Sequence, residues 1–373
     1  LLRREDVRVL LMMTGLPLFG YLLIAEQGWT ILYNARLLPY WFMGVFLFAG
    51  IAVGLGATRL ARWFPNREEN MVVGGILAVG LTLAVTIIGI HDVPGWVNWN
   101  YQGYEGKAAY PELESLVTAV DRLPEGRVMW EYDKDVQNQY GTPMALMLIP
   151  YWSEEHDTME GVFFESSLTT PFHFLNQSEM SRSPSQPVRG LTYRTFALDR
   201  GIEHSKLYNL EYYVTQSEEM TAEANRLGLQ PLAEADAYSI FALPASQPVD
   251  VAAYTPMVYQ GEESFTDVAI NWYDEIDTLD SWIVADGPEA WPRFDTLEGP
   301  YEMGEPLDTA GAVVSDVVVE DHKVSFSTTA IGVPHLVKIS YFPNWEATGA
   351  EGPYRAAPSL MVVVPTEEEV SLE

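Results

Sequence analysis

The sequence predicts a membrane protein with three transmembrane α-helices, an extracytoplasmic α/β or α+β domain and a C-terminal antiparallel β-sandwich. Three observations lead to this fold class. The first 90 residues contain three uncharged apolar runs, the middle of the chain alternates between helical and strand-like patterns, and the end has an apolar period of two. These patterns are typical of membrane spans, of α/β units and of antiparallel sheets.

The predicted membrane helices are the uncharged apolar runs 9–25, 38–58 and 71–90. A spanning helix needs about 20 apolar residues to cross the hydrocarbon layer. The second and third runs meet this length. The first run is shorter and contains Gly15 and Pro17, which helices in membranes tolerate.

Arginines predict how these helices are oriented. They precede the first run and fill the loop between the second and third runs, as Arg3, Arg4, Arg8, Arg59, Arg62 and Arg67. Short loops that carry positive charge stay on the cytoplasmic side. We therefore expect a plasma-membrane protein whose chain from residue 91 onward lies outside the cytoplasm, with the lipid bilayer as a partner.

The net charge of the 373-residue chain is −31 and is unevenly distributed, with +2 on residues 1–70 and −33 on the remainder. Such a surface repels nucleic acid, because binding there depends on neutralising phosphates. We expect no nucleic-acid partner. The charge is typical of a salt-adapted, highly soluble surface, and a cation-binding face is the alternative.

Several kinds of site are absent from the sequence. It contains no cysteine, which excludes disulfides, thiolate metal sites and cysteine nucleophiles. Its six histidines include no pair at metal-ligand spacing, and it has no Gly-rich phosphate loop or Gly-x-Ser-x-Gly pattern. We expect no metal site and no evident cofactor, with a divalent cation as the alternative, and the residues alone identify no catalytic group.

Outside the membrane we expect a juxtamembrane collar at 91–109, an α/β domain at 110–248 and a β-rich domain at 249–373. The collar is aromatic and polar, as suits a membrane interface. An amphipathic helix is predicted at 111–123, where Pro124 ends it. Further alternating patterns predict strands at 126–131, 210–215 and 238–243, and helices at 200–208 and 218–227.

The β-rich domain has two parts with different patterns. Residues 250–308 are rich in Trp, Asp and Pro without a regular period, so irregular structure is expected there. From Gly311 onward, apolar residues alternate or run between turn residues at 313–314, 317–319, 324–327, 336–341 and 360–364. This second pattern predicts the antiparallel β-sandwich.

A candidate lipid-phosphate site lies at the outer mouth of the second membrane helix. Arg36 is there, with Asn34 in the same segment. The donor fork of an arginine suits a lipid phosphate. The alternative is an interfacial anchor whose charged end extends to water.

A second candidate site combines Glu160, Glu165, Phe172, His173 and Asn176. Carboxylates accept hydrogen bonds from sugar hydroxyls, and aromatic rings cover the apolar face of a sugar. The two glutamates would also suit acid–base chemistry. These residues are therefore candidates for binding an acceptor glycan, and a well-packed loop with satisfied polar groups is the alternative.

The acidic segment 274–280 has enough carboxylates for calcium. It lacks the fixed glycine and the spacing of a known calcium loop. A solvated acidic turn is the favoured interpretation.

Several segments resemble a family of large actinobacterial-type membrane proteins with a "6-pyruvoyl-tetrahydropterin synthase-related" region. The matching segments are NARLLPYW (34–41), WNYQGYEGK (99–107), GRVMWE (126–131), the run 159–176, ISYFPNW (339–345) and PSLMVVVP (358–365). The histidine cluster that a pterin synthase needs for zinc is missing from this sequence. The family's architecture is similar to that of the C-type (GT-C) membrane glycosyltransferases.

This resemblance implies a function in the cell envelope. It implies the C-terminal part of a longer polytopic protein that transfers sugar from a polyprenyl-phosphate donor to a cell-envelope glycan or glycolipid in the bacterial plasma membrane. The catalytic acidic residue of that superfamily lies in the first extracytoplasmic loop, which this chain does not include. The alternative is a non-catalytic envelope scaffold, or a membrane protein that binds glycan or protein.

Overall fold

A computed structural model describes residues 4–27, 34–63, 67–89, 92–159, 161, 164, 167–297, 299 and 304–373. The chain forms two compact units, Leu1–Tyr101 and Gln102–Glu373. We call them the helical unit and the sheet unit. The boundary between them falls inside the predicted collar, 91–109.

The helical unit contains a helix at each of the three predicted membrane runs. Its helices are α1 (Arg4–Gln27), α2 (Leu38–Ala61), α3 (Arg67–Gly89) and α4 (Val93–Tyr101). Pro39 lies in the first turn of α2, where the missing N–H of proline leaves no backbone hydrogen bond unmade. The predicted helices at these positions are therefore confirmed.

Small residues lie where the three long helices approach one another. A Cβ added at Gly44 of α2 would overlap the Thr14 side chain of α1, and one at Gly74 of α3 would touch Ala61 of α2. Ala57 and Ala61 are buried at this contact. Small side chains allow close packing of apolar helices, as is typical within a membrane.

Large apolar side chains such as Phe46 and Ile76 are exposed on the helical unit. Among the described residues, one helical run, Asn34–Ala61, is long and apolar enough to cross a membrane. The described apolar parts of the neighbouring helices, Val7–Leu23 and Glu69–Ala84, are shorter. The presence of three membrane spans therefore stays a prediction.

The first half of the sheet unit is an α/β layer. Its strands form a sheet in the order β2-β1-β3-β5-β4. These strands are β1 (Gly126–Trp130), β2 (His156–Thr158), β3 (Leu210–Thr215), β4 (Gln230–Ala235) and β5 (Tyr238–Ala242). β1 is parallel to β2 and β3, whereas β5 is antiparallel to β3 and β4. The predicted α/β or α+β content is thereby confirmed.

The helices of this layer are α5 (Tyr110–Asp121), α6 (Lys134–Gln137), α7 (Ile149–Trp152), α8 (Thr170–Met180), α9 (Leu198–Ser205) and α10 (Glu218–Arg226). Helix α5 buries Leu113, Leu116 and Val120, as its apolar spacing predicts. Helix α10 begins where Ser217 Oγ accepts a hydrogen bond from Met220 N.

The second half of the sheet unit contributes α11 (Phe265–Tyr273) and the strands β6 (Val249–Val251), β7 (Met257–Tyr259), β8 (Ile283–Val284), β9 (Arg293–Phe294), β10 (Val314–Glu320), β11 (Lys323–Thr328), β12 (His335–Val337), β13 (Ala347–Thr348), β14 (Ala350–Ala356), β15 (Leu360–Pro365) and β16 (Glu369–Leu372). They form a mixed seven-stranded sheet, β6-β12-β15-β14-β8-β7-β9, and an antiparallel four-stranded sheet, β10-β11-β16-β13.

The two sheets of this half share a core in which Phe326, Val370 and Leu372 pack with Val337 and Val363. This arrangement agrees with the predicted sandwich at the end of the chain. The prediction of irregular structure at 250–308 was wrong, because that segment contains β6 to β9 and α11. Its strands have only two or three residues, too few for a period of two to emerge.

The largest core of the sheet unit runs across the predicted boundary at 248/249. Met129 and Tyr213 of the α/β layer belong to the same buried cluster as Trp272, Ile283 and Val362 from the second half. The two halves are therefore packed on shared apolar side chains, and the chain between them lies against this core.

Candidate functional site

The predicted lipid-phosphate residues lie in a short 3₁₀ turn that leads into α2. Asn34 Nδ2 donates a hydrogen bond to Tyr21 O of α1 at 3.2 Å. Arg36 is exposed on this turn. The structure thus holds Asn34 in the helix packing, while the proposed contact of Arg36 with a phosphate stays a prediction.

The predicted acceptor-binding residues do not form an open groove. Phe172, His173 and Asn176 lie on α8 and are completely buried, so the loop expected there is a core helix. Asn176 Nδ2 donates to Gly201 O at 3.0 Å. Burial lowers the pKa of His173 to about 3, which keeps its ring neutral. These three side chains therefore cannot contact a ligand from solvent.

The other two members of that set, Glu160 and Glu165, lie outside the described residues. Their predicted roles in acceptor binding and in acid–base chemistry therefore stay predictions.

The first carboxylate of the acidic segment 274–280, Asp274, is bound by two arginines. Asp274 accepts hydrogen bonds from the guanidinium groups of Arg194 and Arg200 at 2.6 and 3.3 Å. Its carboxylate is therefore engaged by arginines, which does not suit a calcium ligand. The described residues include no group of three or more carboxylate, histidine or cysteine side chains placed to hold a metal ion.

A serine, a histidine and an aspartate meet in the α/β layer without the geometry of a catalytic triad. Ser153 Oγ lies 2.9 Å from Asp121 Oδ1 and 2.8 Å from His156 Nδ1, and His156 Nε2 donates to Pro124 O at 3.0 Å. In a triad the imidazole stands between the carboxylate and the hydroxyl, whereas here the hydroxyl stands in the middle. Ser153 and His156 are also completely buried. This trio joins α5, α7 and β2.

The carboxyl end of the parallel strands β1 and β3 is the usual ligand position in open α/β sheets. Here the buried Glu131 carboxylate accepts hydrogen bonds from Gln216 N and Ser217 N at 2.8 and 2.9 Å. A side chain of the protein thus occupies the place where a bound anion would approach the start of α10.

A cleft of about 570 Å³ opens where α9, β6, β12 and the segment after α11 meet. This volume lies within the range of sites for small ligands. The main polar lining residues are Glu203, Lys206, Gln247, Asp250, Asp280 and Lys338, and the main apolar ones are Leu207, Leu279, Trp282 and Leu336. We take this cleft as the candidate functional site.

Strand pairing places an ion pair between a buried lysine and a half-exposed aspartate in the cleft. Leu336 of β12 lies opposite Asp250 of β6, and Lys338 follows two residues later, so these three side chains share a face. Lys338 Nζ lies 2.7 Å from Asp250 Oδ2 and donates to Lys206 O at 2.8 Å. Lys338 is only 2% exposed. The third N–H of its ammonium can be donated to an oxygen atom in the cleft.

Arg127 binds the backbone at Lys338 through a hydrogen bond. Its Nη1 donates to Lys338 O at 2.8 Å and to Tyr208 O at 2.9 Å. Its backbone N–H donates to Glu211 Oε2 at 2.7 Å. Burial lowers the pKa values of both Arg127 and Lys338, whereas Asp250 acts in the opposite direction on Lys338. The α/β layer thereby fixes the strand that carries the lysine.

Hydrogen bonds also fix the opposite wall, which contains Asp280 and Trp282. Trp272 Nε1 donates to Ser281 O at 2.9 Å, and Met257 N donates to Trp282 O at 3.0 Å. Trp282 is 5% exposed and contributes apolar surface to the cleft. The cleft therefore combines fixed donors and acceptors with an apolar wall, an arrangement that suits a polyhydroxylated ligand.

The sequence places Asp280 within an acidic segment, but its patterns predict no role for Asp250, Trp282 or Lys338. The available signal was a lysine inside the apolar run 336–341, since lysine is seldom buried without a partner. Residues 245–247, between β5 and β6, also form part of the cleft wall.

Comparison of the chain with models of protein families, with curated proteins and with solved structures finds no match. The resemblance to the actinobacterial-type membrane family therefore stays a prediction, and the candidate site rests on its own geometry.

Proposed function

We propose that the sheet unit binds a cell-envelope glycan in the cleft between Lys338 and Trp282. The observation that carries this proposal is the ion pair between buried Lys338 and half-exposed Asp250, which faces a cleft with an apolar wall. Sugar hydroxyls both donate and accept hydrogen bonds. They can therefore accept from a lysine N–H and donate to the neighbouring carboxylates. The apolar face of a sugar ring matches Trp282 and its neighbours.

The proposal places the sheet unit outside the cytoplasm of a bacterial cell, held at the plasma membrane by three spans formed by α1, α2 and α3. The arginines at the ends of these helices support this orientation. The small-residue contacts between the helices support their packing in lipid.

The proposed reaction is transfer of sugar from a polyprenyl-phosphate donor. Exposed Arg36 would bind the lipid phosphate, and the glycan in the cleft would be the acceptor. This part rests on the resemblance to GT-C glycosyltransferases. A non-catalytic envelope scaffold would use the same cleft for binding alone.

Glycan binding is tested with the full chain in lipid nanodiscs by titration with envelope oligosaccharides. We expect Lys338→Met to weaken binding about tenfold, since one charge-assisted hydrogen bond is lost. Glu114→Gln, at a shallow depression between α5 and β4, is the matched control and should leave affinity unchanged. Equal affinities for wild type and Lys338→Met would contradict the proposal.

Transfer is tested separately with a panel of polyprenyl-phosphate sugars and the complete membrane protein. Transfer from one donor that weakens in Arg36→Ala would support the enzyme. Glycan binding without transfer from any donor would favour the scaffold. Donor affinity that is unchanged in Arg36→Ala would remove the proposed role of Arg36.

A further inference from the structure

The cleft is lined by more carboxylate groups than ammonium groups. Lys206 Nζ lies 2.6 Å from Glu203 Oε2, and Lys338 Nζ lies 2.7 Å from Asp250 Oδ2. Each of the two lysines therefore has a carboxylate partner within the lining. Asp280 is the remaining carboxylate of the lining, and it is exposed and has no ion pair with another described residue. The cleft thus carries one carboxylate in excess.

Hydrogen bonds hold the backbone that follows Asp280 before any ligand arrives. Ser281 N donates to Thr278 O at 2.9 Å, and the next residue, Trp282, is held through its carbonyl by Met257 N. Ser281 O also accepts the indole N–H of Trp272. Such a backbone loses little conformational entropy when the Asp280 carboxylate pairs with a ligand, which favours tight binding.

The rest of the sheet unit strengthens the attraction for a positive charge. Residues 102–373 carry 46 acidic and 14 basic side chains, a net charge of −32. Glu275 and Asp277 are exposed on the segment that leads to Asp280. A cleft with apolar walls concentrates such a field at its opening and raises the local concentration of cations.

From this charge pattern we propose that the cleft recognises a sugar that bears a free, protonated amino group, and that Asp280 pairs with that ammonium. The inference rests on the proposed glycan binding and specifies its ligand class. The Lys338 N–H and the apolar wall bind the sugar ring in either case. Asp280 supplies the preference for the amine over an acetamide or a hydroxyl at the same position.

The experiment compares two tetrasaccharides of the same backbone, one of glucosamine and one of N-acetylglucosamine, with the full chain in nanodiscs. We expect the amine form to bind about tenfold more tightly, because an ammonium–carboxylate hydrogen bond is lost on acetylation. Added salt should weaken the amine form more than the acetylated form. Asp280→Asn should remove the difference and leave the affinity of the acetylated form unchanged.

Asp277→Asn is the matched control, since Asp277 is exposed on the same segment but does not line the cleft. It should keep the preference for the amine. Lys338-dependent binding of both sugars with equal affinity would overturn this inference and leave the proposed glycan binding standing. Absence of binding by either of these sugars and by other envelope oligosaccharides would overturn both.

Discussion

The carboxylate of Glu179 and the imidazole of His204 form a completely buried hydrogen bond of 2.6 Å between Oε2 and Nδ1. The other ring nitrogen, Nε2, donates to Tyr273 O at 2.7 Å, and Arg200 Nε donates to Glu179 Oε1 at 2.9 Å. A carbonyl oxygen only accepts, so Nε2 carries a proton and a second proton lies between Nδ1 and Oε2. This shared proton and the Arg200 guanidinium satisfy both oxygens of the Glu179 carboxyl group.

Replacement of His204 by leucine should strongly destabilise the sheet unit. Glu179 would keep Arg200 but lose its second partner in a completely buried site. Removal of one partner from a buried ion pair costs about 3–5 kcal/mol. Urea unfolding of the full chain in nanodiscs, followed by near-ultraviolet circular dichroism, measures the change in unfolding free energy.

The double variant Glu179→Met, His204→Leu provides the control for that prediction. It removes the buried carboxyl group together with the imidazole, while Arg200 retains hydrogen bonds to the carbonyl and the carboxylate of Asp274. We expect this variant to be more stable than His204→Leu alone, because no uncompensated charge stays in the core. A double variant that is as unstable as the single one would show that the unpartnered Glu179 carboxyl group is not the cause of the instability.

His173 should make the stability of the protein depend on pH. An unfolded histidine binds a proton below about pH 6.5, whereas burial lowers the pKa of His173 in the folded protein to about 3. The unfolded state therefore holds more protons between these values. The contribution of His173 is fully present above pH 6.5 and is lost as pH falls, by up to about 1.4 kcal/mol per pH unit.

The variant His173→Leu tests this origin of the pH dependence. Its unfolding free energy should fall less steeply between pH 6.5 and 4.5 than that of the wild type. His322→Gln removes an exposed histidine from the turn between β10 and β11 and is expected to keep the wild-type slope. Equal slopes for wild type and His173→Leu would show that another group is responsible.

The spacing of apolar and polar residues along the chain explains which helices were predictable from the sequence. Helices α5 and α10 each have an apolar face and a polar face, so their sequences predict them within two residues. Helix α8 has no such faces, because polar residues such as Asn176, Gln177 and Glu179 are buried along with its apolar ones. Their partners come from distant segments, and for this reason the sequence predicted a binding groove, or alternatively a packed loop, where the structure has a core helix.

The cleft could not be predicted from local patterns. Glu203, Asp250, Asp280 and Lys338 come from four segments, and the pairing of β6 with β12 alone brings two of them together. Sequence spacing contains no information on that pairing, since β6 and β12 have three residues each. The sequence did identify the carboxylates of the acidic segment 274–280, but the partners of Asp274 and the position of Asp280 require the fold.

Replacement of Arg127 by methionine should affect both stability and ligand binding. The carbonyl groups of Tyr208 and Lys338 would lose a charged donor, at a cost of about 2–3 kcal/mol in unfolding free energy. Because Arg127 holds the backbone that carries Lys338, glycan affinity should fall as well. Arg122→Met, at the exposed end of α5, is the control and should change neither quantity. Loss of stability with unchanged affinity would show that Arg127 does not position the lysine.

Replacement of Glu131 by alanine should destabilise the protein and leave a site at the start of α10 that can bind a small anion. The N–H groups of Gln216 and Ser217 would lose a charged acceptor, which costs about 2–3 kcal/mol. The space that is left matches a small carboxylate, so acetate should bind there and restore part of the melting temperature. Acetamide, which has the same shape without the charge, should restore less, and wild type should respond to neither. Equal effects of acetate and acetamide on the variant at constant ionic strength would mean that Glu131 contributes by filling space and that its charge is not needed at this position.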